Sequence, residues 1–439
     1  MTRSPNNVVG RLTSASSWLL LDRVVRMGLG FAVSILMARY YGPAQWGMLS
    51  YLLASATLFA AVATAGSEDI ILRDLSQTNS PQQIANIQKT VFVLRIFFGT
   101  LAYLSLVALI GFTQGIGLVF YMSLVYGLLF IFQASEIWEY RLRIEHRISV
   151  IAGTHILTSV ISSIVKVACV LFGWPLIYVT ASMSAEYAGN MGLLANYKRR
   201  HWSEWIGQFD RAYATKLLSS SLLVMVSVTL VACQVRIEYY LIDHFLGIES
   251  VGIYAAAFKC MELFEILIVI FSMTLVPELA KRDVAQLPTL ASRTYLLGFL
   301  FFGAMLVPMF IMYLLFPWLF GVKYEAAQAL IPWLAFRPLL IILGSIRSIF
   351  LVMEGRLRYV PICAFVGLVS SLGTGWFLIP ELGLLGAAIS GLTSLLVSNF
   401  VMDLFFQPQN IRSMRNSFSQ WPYVLEKGRQ VLHLGKIKP

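Results

Sequence analysis

The chain has 439 residues, of which 58% are hydrophobic and 13% charged, and its formal net charge is +11. With a mean hydropathy of +0.74, it has more apolar surface than a water-soluble protein of this size can hide, so lipid is the solvent for most of it. The positive balance does not point to nucleic acid, because Lys and Arg fall between apolar runs and at the C-terminus, where anionic lipid head groups account for them.

A polar segment, 1–15, opens the chain. The stretch 16–66 then sets the plan: two apolar runs, 16–41 and 44–66, flank a tight turn at Tyr41-Gly42-Pro43. The first run is long and carries Asp22, Arg23 and Arg26, so it reads as a retained span rather than a cleaved signal. A charge inside a spanning helix costs at least roughly 2.5–3.5 kcal/mol on insertion scales, which turns these side chains toward protein or water. Further apolar segments follow at 91–112, 116–138, 149–172, 175–197, 216–246, 251–276, 293–316, 327–352, 359–379 and 384–406. The expected fold class is an all-α integral membrane protein of about 12 transmembrane helices.

Of the 33 Lys and Arg, 23 lie on connections of one side when the N-terminus is taken as cytoplasmic; only Arg39 and Lys323 lie on the other. This asymmetry predicts both termini inside and an even number of crossings. The outer connections are short, as at 42–45, 113–115 and 380–383, and leave no room for an outer catalytic domain. The longer inner connections, 67–90 and 198–215, have the composition of interfacial helices, and the WPYVL stretch of the basic tail reads as a surface anchor or a partly ordered tail. Trp18, Trp46, Trp174, Trp202, Trp205 and Trp318 stand near span ends, as interfacial anchors do. Cys169, Cys233, Cys260 and Cys363 lie singly in apolar runs and read as packing residues.

The chain also repeats. YGPAQWGMLSY at 41–51 matches LGIESVGIYAA at 246–256, with Gly42 on Gly247 and Gly47 on Gly252, an offset of 205 residues. Duplication then gives two lobes of six helices in the same orientation, 16–205 and 206–406, followed by a basic cytoplasmic tail, 407–439.

These motifs carry a family likeness. MARYYGPAQWGMLSYLLASATLFAAVATAG with IILRDLSQ, then DHFLGIESVGIYAAAFKCMELF, FGVKYEAAQALIPWLA and ELGLLGAAIS, in this order over residues 12–406, resemble the Wzx-type polysaccharide or O-antigen flippases. That family shares a superfamily with MATE drug exporters and peptidoglycan-precursor flippases. The resemblance implies a V-shaped, MATE-like transporter of two six-helix lobes, working by ion-coupled alternating access in a cell inner membrane. It implies as cargo an undecaprenyl-pyrophosphate-linked oligosaccharide. Membrane lipids are further partners, and a polysaccharide polymerase and glycosyltransferases are candidate protein partners that the sequence does not choose between.

Such a cargo needs a wet, cationic path for its pyrophosphate, while its acyl chain stays in lipid through a gap between helices. Arg23 and Arg26 share a face of the first span and are the first candidates, although Asp22 can pair with Arg26 at i,i+4. Lys166 and Arg337 are isolated cations too deep to snorkel easily, whereas Arg347 lies near an inner end and can snorkel. Arg236, with Glu238 and Asp243, offers either a passage element or an interhelical salt bridge. Glu262 and Glu265 stand with Lys259 on the eighth span; with Asp243 they are candidates for ion coupling, and neutralising Lys259 is the alternative for Glu262. Glu186 and Asp403 are weaker candidates. Glu136, Glu139 and Arg143 read as a solvated network at an inner helix end. No phosphate loop, HExxH, Cys-His cluster or GxSxG elbow is present, so no cofactor, metal or catalytic residue is expected and the chain reads as a non-enzyme. The rivals are a MATE-like exporter of small organic cations and a membrane-embedded polymerase or glycosyltransferase.

Overall fold

The computed structural model describes residues 5–78, 80–202, 207–279, 287–356 and 358–421. Arg3, Lys281, Arg282, Lys427, Arg429, Lys436, Lys438, Trp205 and the WPYVL stretch beyond Trp421 lie outside them. Among the described residues the regular structure is helical, with no strand. Each of the apolar segments read from the sequence falls on helix, and nine helical stretches among the described residues are long and apolar enough to cross a membrane. One of these, Leu21–Gln77, holds two of the sequence segments. The chain is a multi-pass membrane protein.

The chain packs as two compact units, Met1–Tyr239 with Ile248–Gly252, and Tyr240–Gly247 with Ile253–Pro439. In the first unit, α1 (Pro5–Ala63) is broken at Gly42, whose φ of 76° and ψ of 175° are open to glycine alone; Pro43 then restarts the helix. The matched Gly247, φ 81°, separates α9 (Arg211–Leu246) from α10 (Ile248–Leu279) in the same way. A Cβ on Gly47 would lie 2.0 Å from the Ile248 carbonyl oxygen, and one on Gly252 would lie 1.9 Å from that of Pro43. At the 205-residue offset Pro43 matches Ile248 and Gly47 matches Gly252, so each stretch makes the other's contact. This reciprocity supports a duplicated origin.

α1 packs along α3 (Pro81–Gln114) and α7 (Ile148–Leu171); α7 packs on α8 (Leu176–His201), and α8 on α4 (Leu118–Tyr126). After α4 the helix is discontinuous: α5 (Leu129–Phe132) leads through a 3₁₀ turn at Gln133–Ser135 into α6 (Glu136–Ile144). The 67–90 connection divides. Its first part is α2 (Glu68–Gln77), which buries Ile71 and Leu75 in a cluster with Ile137, Trp138, Leu142 and Trp202; its second part is the start of α3. Trp202 and Trp46 are therefore packed in the protein, not anchored at an interface, whereas Trp18, Trp174 and Trp318 are exposed. Lys198 lies 5.2 Å from the Trp138 ring; burial, reinforced by the charges of Lys89 and Arg141, holds its ammonium below the usual lysine range.

In the second unit, α11 (Leu287–Phe320) is followed by two short helices, α12 (Glu325–Gln328) and α13 (Ile331–Leu334), and packs on α14 (Phe336–Met353) and on α18 (Pro408–Arg415). α15 (Tyr359–Leu382) and α16 (Leu384–Leu396) approach closely through small residues: Ser390 Oγ donates to the Ser371 carbonyl at 2.8 Å, and Ser394 Oγ to that of Gly367 at 2.8 Å. Serine hydroxyls so placed tie helices together where lipid offers no hydrogen bond. α16 runs through a π-helical stretch, Val397–Val401, into α17 (Met402–Phe406). All four cysteines are free thiols.

Candidate functional site

Six helices of the first unit, α1, α2, α3, α6, α7 and α8, bring ionisable side chains to one place. Asp22 of α1 is 5% exposed and receives Arg26 Nη2 at 2.9 Å on Oδ2, with Arg26 Nε 2.9 Å from Oδ1. The i,i+4 spacing within α1 makes this pair local. His155 of α7 stands between two carboxylates, with Nε2 2.9 Å from Glu139 Oε1 and Nδ1 3.6 Å from Asp22 Oδ2. Glu139 also accepts from Asn190 Nδ2 at 3.0 Å. An imidazole carrying one proton can donate to one of these carboxylates; carrying two, it can serve both. Beside them Arg95, 2% exposed, is held by Glu136 at 2.7 Å and the Tyr140 hydroxyl at 2.6 Å, while Arg143 reaches Glu68 at 2.8 Å.

These groups surround a cavity of about 230 Å³ lined by Arg26, Glu68, Gln133, Ser135, Glu136, Glu139, Tyr140, Arg143, His155, Thr158, Glu186, Tyr187 and Asn190. Asn190, 7% exposed, keeps its Oδ1 without a hydrogen-bond partner on this lining. The side chains are those of a polar, hydrogen-bonding chamber in a lipid-solvated bundle. Replacing Glu139 with alanine removes the acceptor of both His155 and Asn190, and should lower stability in detergent by about 1–3 kcal/mol in a denaturation experiment.

Of the cations singled out in the sequence, Arg26 lines this cavity and Arg23 does not; Arg23 is exposed on α1. Lys166 of α7 pairs with Glu186 of α8, Nζ to Oε2 3.6 Å, and Glu186 is part of the lining. Arg236 is half-buried in the first unit, 5.7 Å from the Tyr239 ring, beside fully buried Glu238; Asp243 is half-buried in the second unit. The second unit pairs Arg337 with Glu265 at 3.1 Å and Lys259 with Glu262 at 2.9 Å.

Two expectations need correction. Glu139 is 3% exposed and bonded within the protein, so the Glu136–Glu139 region is a buried network rather than a solvated helix end. Arg347 does not snorkel: it is 3% exposed and meets fully buried Asp403 through Nε and Nη2, all at 2.8 Å. The reading of the sequence passed over His155, Arg95, Gln133 and Asn190. Arg95 carried the same signal as Lys166, a lone cation in an apolar run; a single His in α7 carried none until Glu139 was brought beside it.

A nearly all-helical, membrane-embedded bundle with a chamber of ionisable side chains has counterparts among solved structures, which share its fold. An inward-facing multidrug resistance MATE family transporter of the MOP superfamily superposes with a TM-score of 0.73 at 14% identity, over 92% of this chain and 99% of the other. The lipid II flippase MurJ, in an inward closed conformation, gives 0.62 at 12% identity over 94% and 93%. A mutant of the Vibrio cholerae MATE transporter VcmN gives 0.57 at 13% identity over 94% and 98%. Among curated proteins the sequence has no match. The chain belongs to the polysaccharide biosynthesis protein family, whose signature covers residues 12–282.

Proposed function

We propose that this protein moves an undecaprenyl-pyrophosphate-linked oligosaccharide across a cell inner membrane, from the cytoplasmic to the outer leaflet, for polysaccharide or O-antigen assembly. The observation that carries the reading is the polar chamber of the first unit in a member of a polysaccharide biosynthesis family. Twelve crossings in two lobes, 16–205 and 206–406, with both termini cytoplasmic, suit alternating access. Arg26 is the first contact for the pyrophosphate: its side chain is 40% exposed and its guanidinium borders the chamber. Lys166, Arg236 and Arg337 are the further cations on offer, and Arg23 is a contact before entry. Glu262, Glu265 and Asp243 remain the coupling candidates, joined by the Asp22–His155–Glu139 set, whose ring can exchange a proton between carboxylates.

One observation favours a second reading. Arg26, Arg143 and Lys166 each face a carboxylate, and Glu68, Glu136, Glu139 and Glu186 line the same chamber. Interior cations therefore do not by themselves exclude a small organic cation as cargo; family membership is what favours the lipid-linked saccharide.

The test is transport by the purified protein in liposomes. Lipid-linked oligosaccharide should become accessible on the far leaflet with wild type, and Arg26→Ala should slow this about tenfold to a hundredfold, the weight of one or two charge-assisted hydrogen bonds. Arg23→Ala should cost less. Transport of organic cations without movement of the lipid would establish the second reading instead.

A further inference from the structure

The wall of the chamber changes character at Thr158 and Glu186. Beyond these two residues, which border both spaces, a second hollow of about 320 Å³ runs between α7 and α8. Its α7 side presents Ile161 and Val165, and its α8 side Ala181, Ala185 and Gly189, all at helical spacing on one face. Trp174 and Tyr178 close the far end. The hydroxyls on its floor are turned away: Thr158 Oγ1 donates to the Thr154 carbonyl at 3.0 Å, Ser162 Oγ to that of Ser182 at 3.2 Å, and Ser182 Oγ to that of Val179 at 2.7 Å. With those groups satisfied internally, the hollow is an apolar groove that shares two wall residues with a polar chamber.

Lys166 lines neither space; its ammonium lies 3.6 Å from Glu186, a looser pair than Arg95–Glu136 at 2.7 Å or Arg347–Asp403 at 2.8 Å. A polar space that shares its border with an apolar groove matches a molecule with a polar head and a hydrocarbon chain. A head group seated in the chamber must release its chain where the wall turns apolar, and the shared residues place that point at Thr158 and Glu186.

We propose that the α7–α8 groove holds the first part of the apolar chain of the lipid whose polar head occupies the chamber. The proposal rests on the flippase reading above, since that reading supplies an amphiphile as cargo. It assigns to the groove a specific chain rather than bulk bilayer lipid, because only a lipid with its head in the chamber gains both contacts at once.

The test uses the full chain in vesicles of phosphatidylethanolamine and phosphatidylglycerol, with a polyprenyl phosphate probe bearing a diazirine in its chain. Labelling should fall on α7 and α8 and be competed by unlabelled polyprenyl phosphate but not by added phosphatidylglycerol. Ala185→Phe, which fills the groove, should lower labelling about tenfold, as loss of a shaped apolar site does. Ala181→Leu is a milder filling variant that answers the same question should the first not fold. Ile164→Phe, at an α7 position that is 62% exposed and outside the groove, should leave labelling unchanged. Labelling that survives both filling variants, or that phosphatidylglycerol competes equally well, overturns the proposal. Labelling as expected in vesicles that move no lipid-linked saccharide supports the groove and overturns the transport reading instead.

Discussion

Replacing Gly47 with leucine will abolish the folded protein. The backbone there is ordinary helix, so strain in φ and ψ is not the reason; space is. The first atom of any side chain would lie 2.0 Å from the Ile248 carbonyl oxygen and 2.9 Å from the Gly252 nitrogen, both main-chain atoms that cannot rotate aside. Overpacking a core against movable side chains costs about 1–3 kcal/mol. Against backbone on both sides the cost should exceed about 4–5 kcal/mol, enough to unfold a domain of typical stability. Gly47→Ala should already lower the unfolding midpoint, and Gly252→Ala should lower it comparably, because its Cβ would meet Pro43 in the matched geometry. Size-exclusion profiles and thermal unfolding in detergent provide the measurement. A leucine variant that elutes as a monodisperse peak with an unchanged midpoint would show that these helices do not approach so closely.

The second large effect belongs to Asp403. Its carboxylate is fully buried, meets Arg347 at 2.8 Å and accepts from Asn410 Nδ2 at 2.5 Å, while the Arg347 guanidinium also lies 3.2 Å from Cys363 Sγ and 5.2 Å from the Tyr359 ring. Asp403→Ala leaves a guanidinium buried without its anion, and the expected loss is about 3–5 kcal/mol. Arg347→Met combined with Asp403→Leu should recover most of that loss, because no charge is then stranded. The comparison separates the cost of an orphaned ion from the net value of the pair. If Asp403→Ala unfolds at the same denaturant concentration as wild type, the buried pair does not exist in the folded protein.

The helices themselves were legible. Apolar runs of spanning length predict helix because lipid allows the backbone no other partner, and the turn at Tyr41-Gly42-Pro43 is where the structure breaks α1. The match of Gly47 with Gly252 was also readable as a repeat, but not as a contact, because nothing in a sequence says that two similar stretches touch. Pairing was the larger gap. Asp22 with Arg26 and Lys259 with Glu262 could be foreseen because helical spacing brings them together. Arg337 with Glu265 and Arg347 with Asp403 span 72 and 56 positions, and only packing decides such partners. The breaks from α4 to α6 place Glu139 inside the protein, and no local propensity announces that. His155 gains its meaning from that placement.

The difference between near and distant ion partners bears on how the chain enters a bilayer during synthesis. α1 brings Asp22 and Arg26 as a ready-made neutral couple, since both lie within about one turn and can associate while the segment is still leaving the ribosome. α14 has no such companion: the carboxylate that neutralises Arg347 arrives 56 residues later. Until then its guanidinium must lean on the insertion machinery or drag water with it. A nascent chain arrested before Asp403 is therefore expected to hold α14 less firmly in the membrane than the full chain does, which makes the arrival of α17 a checkpoint in biogenesis.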